Sequence, residues 1–327
     1  MRNFKKKSMK KVKTLSLLAL ITSLVACEGG VSSNPPIDSS QKPSSDTSTI
    51  ISTPSESSSI SSSSSSSGIS GDFLEEIYEN MPSDVQAYYG DVELSLDGRD
   101  LKTSLHDTIA DHTQIGYDGL WSAYYTTDVD EEGFIVDVYS AFKFIPGTDQ
   151  NHGQQKNEGD NYNREHVIPQ SVFDEKEPMV SDLFHVLPTD SMVNNWRSNY
   201  PHAEVRSANR TSTNGTKVGT SATSGVSGSV CEPADEWKGD FARIYFYFAT
   251  CYQDRLSGFK NYAPLAKNSF PSLSTWAIDL YCRWAQEDPV SDWEIQRNNA
   301  VYSIQGNRNP FIDFPELETV IWQDYLD

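Results

Sequence analysis

The chain has 327 residues, with 46 Asp and Glu against 26 Lys and Arg and a net charge of −20. A chain this acidic is repelled at long range by a polyanion, which excludes a protein that coats nucleic acid through a broad basic surface. Any chemistry on phosphates must then come from a local site, and the acidity suits a surface-exposed or salt-tolerant protein.

Residues 2–13 carry seven cations (Arg2, Lys5, Lys6, Lys7, Lys10, Lys11, Lys13), followed by an apolar run from Leu15 to Ala26 that ends Leu24-Val25-Ala26-Cys27. A basic start, a short apolar core and a small residue before the cut site predict a secretory signal over residues 1–26. The run is too short to span a bilayer as a permanent helix. An uncleaved anchor or an ordinary signal cut elsewhere is the alternative. Leu-Val-Ala-Cys resembles the bacterial lipoprotein cleavage box, which implies a lipid-modified Cys27 and a protein tethered at the extracellular face of the cell membrane. Loss of the signal leaves 19 Lys and Arg against 46 Asp and Glu.

Residues 27–71 are dominated by Ser, with seven in a row from Ser61 to Ser67. Such a segment cannot bury enough apolar surface to offset its ordering entropy and predicts a flexible linker. Residues 72–327 are long enough for one large domain with a sizeable core. If Cys27 is lipidated, Cys231, Cys251 and Cys282 remain. They allow at most one disulfide, three buried thiols fit equally well, and their spacing offers no zinc motif.

In chain order, residues 74–86 begin as a helix that stops near Pro82. Residues 99–112 place Leu101, Leu105 and Ile109 at helical spacing. Residues 119–125 predict another helix, and the β-rich composition of residues 134–144 predicts a strand. Residues 145–161, with Gly147, Gly153 and Gly159, predict a loop, and Pro169 prevents a long central strand. From Pro188 the pattern turns helical with Thr189 as its N-cap, placing Asn194 and Arg197 on one face and Val193 and Trp196 toward the core. Residues 241–252, 273–286 and 292–304 predict three more helices. The expected class is α+β, with the site at a strand–loop–helix junction.

The chemistry concentrates in two segments. Residues 163–166 read Asn-Arg-Glu-His, and residues 182–199 read DLFHVLPTDSMVNNWRSN. Glu165 with the amides Asn194 and Asn195 offers oxygen donors suited to a hard cation, Arg197 a positive group for phosphate, and His166 a base able to deprotonate water near neutral pH. Each alone is a weak signal: Glu-His pairs are commonly surface pairs, a mid-helix Asn is commonly solvated, and His185 is more often a structural hydrogen-bonder. No zinc-protease His-Glu-x-x-His motif is present.

Asn163-Arg-Glu-His-Val-Ile-Pro-Gln-Ser, Asp182-Leu-Phe-His-Val-Leu-Pro-Thr-Asp and Val193-Asn-Asn-Trp-Arg-Ser-Asn-Tyr-Pro resemble bacterial secreted endonuclease I, of the ββα-metal (His-Me finger) nucleases. The resemblance extends from Leu105-His-Asp through Lys238-Gly-Asp-Phe-Ala-Arg and Trp293-Glu-Ile-Gln-Arg to Ile304-Gln-Gly-Asn-Arg-Asn-Pro-Phe, and covers most of residues 86–314. It implies a ββα-metal core surrounded by helices, with His166 as general base and Glu165 and Asn194 as ligands of a single Mg²⁺. Arg197 is a phosphate candidate whose alternative role is a helix-packing salt bridge. Arg164, Arg243 and His185 are weaker phosphate or substrate candidates. Many relatives have His-His where this chain has Phe184-His185, which puts one second-layer or phosphate contact in doubt.

The expected function is an extracellular, non-sequence-specific endonuclease acting on DNA and RNA as a monomer with no obligate protein partner. Mn²⁺ or Ca²⁺ would also suit the ligands. The alternatives are a nuclease fold that has lost activity, for which Phe184 is the motive, and a non-enzymatic surface-binding lipoprotein.

Overall fold

In the computed structural model the structure describes residues 71–150 and 155–326. The signal peptide, Cys27 and nearly all of the Ser-rich linker lie outside them, as does Gly153. The domain opens with α1 (Gly71–Asn80) and α2 (Ser83–Tyr88), separated where Pro82 takes an extended ψ of 142° and breaks the first helix. In α3 (Gly98–Ile109) the expected stripe of Leu101, Leu105 and Ile109 is fully buried. Then follows α4 (Gly119–Thr127).

The strand expected over residues 134–144 does not form. Only isolated bridges, Val129 to Ile135 and Ile135 to Phe144, occur there. The Asp137 carboxylate accepts from Tyr139 N at 2.9 Å, Ser140 Oγ at 2.5 Å and Asp190 N at 3.0 Å. These local bonds turn the chain where composition alone favoured extension.

The next elements carry the motifs. Strand β1 (Tyr162–His166) pairs antiparallel with β2 (Val186–Asp190), with Glu165 opposite Leu187 and His166 opposite Val186. Helix α5 (Ser191–Arg197) follows β2 directly and packs against both strands, giving a ββα unit. Its N-cap is Asp190 and not Thr189, which belongs to β2. The Asp190 Oδ1 accepts from Met192 N at 2.8 Å and Val193 N at 2.9 Å. Oδ2 takes the Gly159 N–H at 2.6 Å, at a left-handed φ of 87°. One carboxylate thus caps the helix and pins the end of the 145–161 loop to it.

Beyond α5, β3 (Val205–Thr211), β4 (Lys217–Ser221) and β5 (Ser229–Glu232) form a separate antiparallel sheet in that order. The sequence reading assigned no strands there. From Arg206 onward β3 is exposed and bulged, and it crosses Gly219 so closely that a Cβ would lie 2.1 Å from the Ser207 carbonyl oxygen. Its polar, irregular pattern leaves no two-residue alternation to read.

Helix α6 (Lys238–Cys251) runs through the centre, with Gly239 to Cys251 all buried. A helix buried on every face, as this one is, is a core helix. Against it pack α3, α7 (Thr275–Glu287) and α9 (Pro310–Asp313), while α8 (Asp292–Gln305) packs on α4 and α9, and α10 (Leu317–Ile321) on α3 and α9. Helix α8 starts with a Ser291–Glu294 capping box and stops at Gly306, φ 80°. Tyr245 stacks on Tyr281 at 4.5 Å, and Phe246 lies 5.1 Å from Trp322. Each such buried aromatic contributes roughly 1.5–3 kcal/mol. The class is α+β, as expected. Among the described residues Cys231, Cys251 and Cys282 are all free and buried, and no helix is long and apolar enough to cross a membrane.

Candidate active site

His166 is the last residue of β1, so its side chain leaves the sheet where regular alternation ends. It is 6% exposed. Its Nε2 lies 3.1 Å from the Val180 carbonyl oxygen, which can only accept. Nε2 therefore carries the hydrogen, and Nδ1 keeps the lone pair. Burial, reinforced by the His185 imidazole, pushes His166 down to about 3, so the ring is neutral at physiological pH.

Glu165 is 2% exposed. Its Oε1 accepts from the Arg197 Nη1 at 2.6 Å and from the Tyr139 hydroxyl at 2.8 Å. Burial pushes Glu165 up to about 7, against Arg197 and Tyr139, which favour the carboxylate. Its Oε2 accepts no hydrogen bond from the described residues. Asn194 donates its Nδ2 to the Arg164 carbonyl oxygen at 3.3 Å, one residue before Glu165. That bond lays the Asn194 amide along β1 and leaves its Oδ1 without a donor among the described residues. Two oxygens on adjoining segments of the ββα unit thus accept no hydrogen bond within the described residues, and both are of the type that hard cations take. The residues present fit a divalent ion.

Arg164 lies between two rings, its guanidinium carbon 3.4 Å from the Tyr117 centroid and 4.5 Å from that of Trp121. Its Nη1 donates to the Tyr117 carbonyl at 2.8 Å, while Nη2 makes no hydrogen bond within the described residues. The Tyr117 ring in turn lies 5.8 Å from the His166 ring. Arg164 is therefore beside the base with a donor to spare.

Three expectations need correction. Arg197 does not face substrate: it is 1% exposed and all five of its N–H groups are committed. Nε donates to the Tyr200 carbonyl, Nη1 to Glu165 and the His166 carbonyl, and Nη2 to the Val167 carbonyl and the Tyr262 hydroxyl. The salt-bridge alternative describes it. Arg243 is 2% exposed and holds Glu294 in a bidentate pair at 2.6 and 2.7 Å, tying α6 to α8, with Nη1 on the Asp288 carbonyl. His185 is fully buried behind the base, with Nε2 2.6 Å from the Met179 carbonyl and its ring 6.0 Å from that of His166. None of the three can reach a phosphate. Phe184 packs into the core 4.7 Å from Tyr247.

The loop that supplies the Val180 carbonyl is anchored by Asp182. Its Oδ1 accepts from Phe184 N and Gln305 Nε2, both at 3.0 Å, and its Oδ2 from Tyr247 and Tyr252 at 3.0 and 2.7 Å. Burial alone would raise this carboxyl, but His112, His185 and the hydrogen bonds hold it below the usual range. His112, Asp182 and Cys251 offer ligand atoms within 4.8 Å of one another. Burial pushes the Cys251 thiol up, however, and hydrogen bonds already fill both Asp182 oxygens, so the cluster holds the loop.

The Val180 carbonyl had no sequence signal, since a backbone group fourteen residues away carries no residue type. His202 follows directly on the Arg-Ser-Asn-Tyr-Pro motif and could have been singled out.

Comparison with known proteins places this α+β chain among the phosphodiester-cleaving hydrolases. The profile of the family Endonuclease I matches residues 97–316. Extracellular ribonucleases of Bacillus amyloliquefaciens and Bacillus subtilis (strain 168) are 31% and 32% identical over 253 residues, covering 73% of this chain and 79% and 80% of theirs. An extracellular deoxyribonuclease of Aeromonas hydrophila is 29% identical over 76 residues, covering 23% of this chain and 26% of its own. The chain belongs to the endonuclease I family. It is a phosphodiester-hydrolysing nuclease.

Proposed function

We propose that this nuclease works outside the cell, tethered through a lipidated Cys27 and the residue 27–71 linker, and that residues 72–327 form its catalytic domain. It cuts DNA and RNA internally, as a monomer, with little sequence preference because it holds backbone phosphates. The observations that carry this reading are an imidazole of fixed tautomer on β1 and two oxygens that accept no hydrogen bond among the described residues, Glu165 Oε2 on β1 and Asn194 Oδ1 on α5 of the same ββα unit. The relatives' names include both ribonucleases and deoxyribonucleases.

In this reading the ββα unit is a His-Me finger. Glu165 and Asn194 hold one Mg²⁺, with Mn²⁺ or Ca²⁺ as substitutes. When bound, the ion stabilises negative charge on the phosphate and on the departing 3′ oxygen. His166 Nδ1 takes the proton of a water as its oxygen bonds to phosphorus, and the P–O3′ bond breaks in line. The Nε2 bond to Val180 keeps Nδ1 aimed and unprotonated. Arg164 Nη2 holds a phosphate oxygen beside the base. Arg206 and Arg210 on β3 are exposed and have no acidic partner among the described residues, and Arg210 lies 5.2 Å over the Trp196 ring of α5. They give an acidic protein local cations, one of them over the helix that carries Asn194.

The test is cleavage of plasmid DNA and of RNA against Mg²⁺ concentration, for wild type, Glu165→Gln and Asn194→Ala. The variants should need far more Mg²⁺ and recover in part at excess. Equal cleavage by all three in EDTA would overturn the ligand assignment.

A further inference from the structure

Behind Glu165 six buried side chains close a ring of hydrogen bonds. Glu165 Oε1 takes the Tyr139 hydroxyl at 2.8 Å, and that hydroxyl lies 2.7 Å from His202 Nε2. His202 Nδ1 lies 3.0 Å from the Tyr245 hydroxyl, which lies 3.0 Å from that of Tyr262. The Tyr262 oxygen accepts from Arg197 Nη2 at 3.2 Å, and Arg197 Nη1 returns to Glu165 Oε1 at 2.6 Å. The six groups come from the 128–161 loop, β1, α5, the segment after α5, α6 and the segment after it, and each is at most 8% exposed.

Chemistry fixes the direction of every bond. A carboxylate only accepts, so the single Tyr139 proton goes to Glu165. His202 Nε2 must then donate to Tyr139. Burial, with Arg197 nearby, pushes the His202 imidazole well below its ordinary value, so it is neutral and its Nδ1 accepts from Tyr245. The Tyr245 proton being used, Tyr262 donates to Tyr245, and Arg197 to Tyr262. All donors therefore run from Arg197 around to Glu165. No group is left with two hydrogens facing or two lone pairs facing. Phe241 walls the ring, stacked on Tyr139 at 5.6 Å and 4.4 Å from His202.

A ring that loads two donors onto Oε1 and none onto Oε2 does more than pack the core. We propose that it positions the Glu165 carboxylate with Oε2 outward for the divalent cation, and that Tyr139 and His202 are positioning residues for the nuclease. This rests on the reading of Glu165 as a ligand. Partners of this kind raise metal affinity by holding a ligand in one orientation, and losing one typically costs about 10–100-fold.

The test is binding of Mn²⁺ alone, without nucleic acid, to the mature chain, read by electron paramagnetic resonance of the free ion, with thermal unfolding measured in parallel. Tyr139→Phe removes one oxygen and no packing, and should weaken Mn²⁺ about 10–100-fold. His202→Leu should do the same, while His202→Gln, whose amide can still donate to Tyr139, should recover most of the affinity. Glu165→Gln, which removes the ligand itself, should weaken Mn²⁺ more than either. If Glu165→Gln bound Mn²⁺ as wild type does, the ligand reading would fall and the ring's role with it. If Glu165→Gln lost Mn²⁺ while folded Tyr139→Phe and His202→Leu bound it unchanged, the ring would be a core element only and the proposal would be wrong. Should His202→Leu not fold, Tyr139→Phe carries the test.

Discussion

Replacing Arg197 by Met separates the two roles that the sequence left open for it. The guanidinium is buried and its five donors serve Glu165, Tyr262 and the carbonyls of His166, Val167 and Tyr200. Met fills a similar volume but leaves a buried carboxylate at Oε1 without its ion pair and three carbonyls without donors. Breaking a buried pair by removing one partner costs about 3–5 kcal/mol. In a domain of this size each kcal/mol moves Tm by roughly 2–4 °C, so unfolding should fall by about 6–20 °C, followed by circular dichroism or calorimetry. A phosphate ligand exposed to solvent would behave in the opposite way. A Tm within about 2 °C of wild type, with a raised KM for nucleic acid, would refute the reasoning.

Two other outcomes follow from the same kind of accounting. Burial pushes Glu318, 3% exposed and without an ion pair among the described residues, up from 4.5 to about 7. The folded state then holds a proton that the unfolded state releases between those values, so this group's contribution is full below about pH 4.5, is lost as pH rises to about 7, and is constant above. Glu318→Gln should remove up to about 3 kcal/mol of that loss, and a denaturation series showing equal pH dependence for variant and wild type would contradict it. Arg210→Ala should weaken binding uniformly across DNA sequences and reduce the magnitude of the salt slope of log K by about one; an unchanged slope by fluorescence anisotropy would remove Arg210 from the phosphate path.

The helices were legible because their apolar spacing is regular: the Leu101, Leu105 and Ile109 stripe and the aromatic α6 are buried as read. The 134–144 strand was misread because composition cannot show that Asp137 will capture the Tyr139 amide, the Ser140 hydroxyl and the Asp190 amide. The three-stranded sheet escaped because β3 is exposed and bulged. At the site, residue type and the family resemblance together pointed to Glu165, His166 and Asn194, but charge alone could not separate Arg164, with a free donor beside the base, from Arg197 and Arg243, whose donors are spent on buried partners. That distinction depends on which face of a helix or strand meets the core, and a motif does not encode it. The ring behind Glu165 joins residues up to 123 positions apart, from Tyr139 to Tyr262, so no local pattern could reveal it.

The central claim is that His166, aimed by Val180, is the base of a metal-dependent nuclease. Plasmid nicking by the mature chain with Mg²⁺, with EDTA and with His166→Ala tests it most directly. The account predicts cleavage that requires Mg²⁺ and falls by at least ~10²–10⁴-fold in His166→Ala at unchanged Tm. Near wild-type turnover by the folded variant, with Mg²⁺ present, would contradict it.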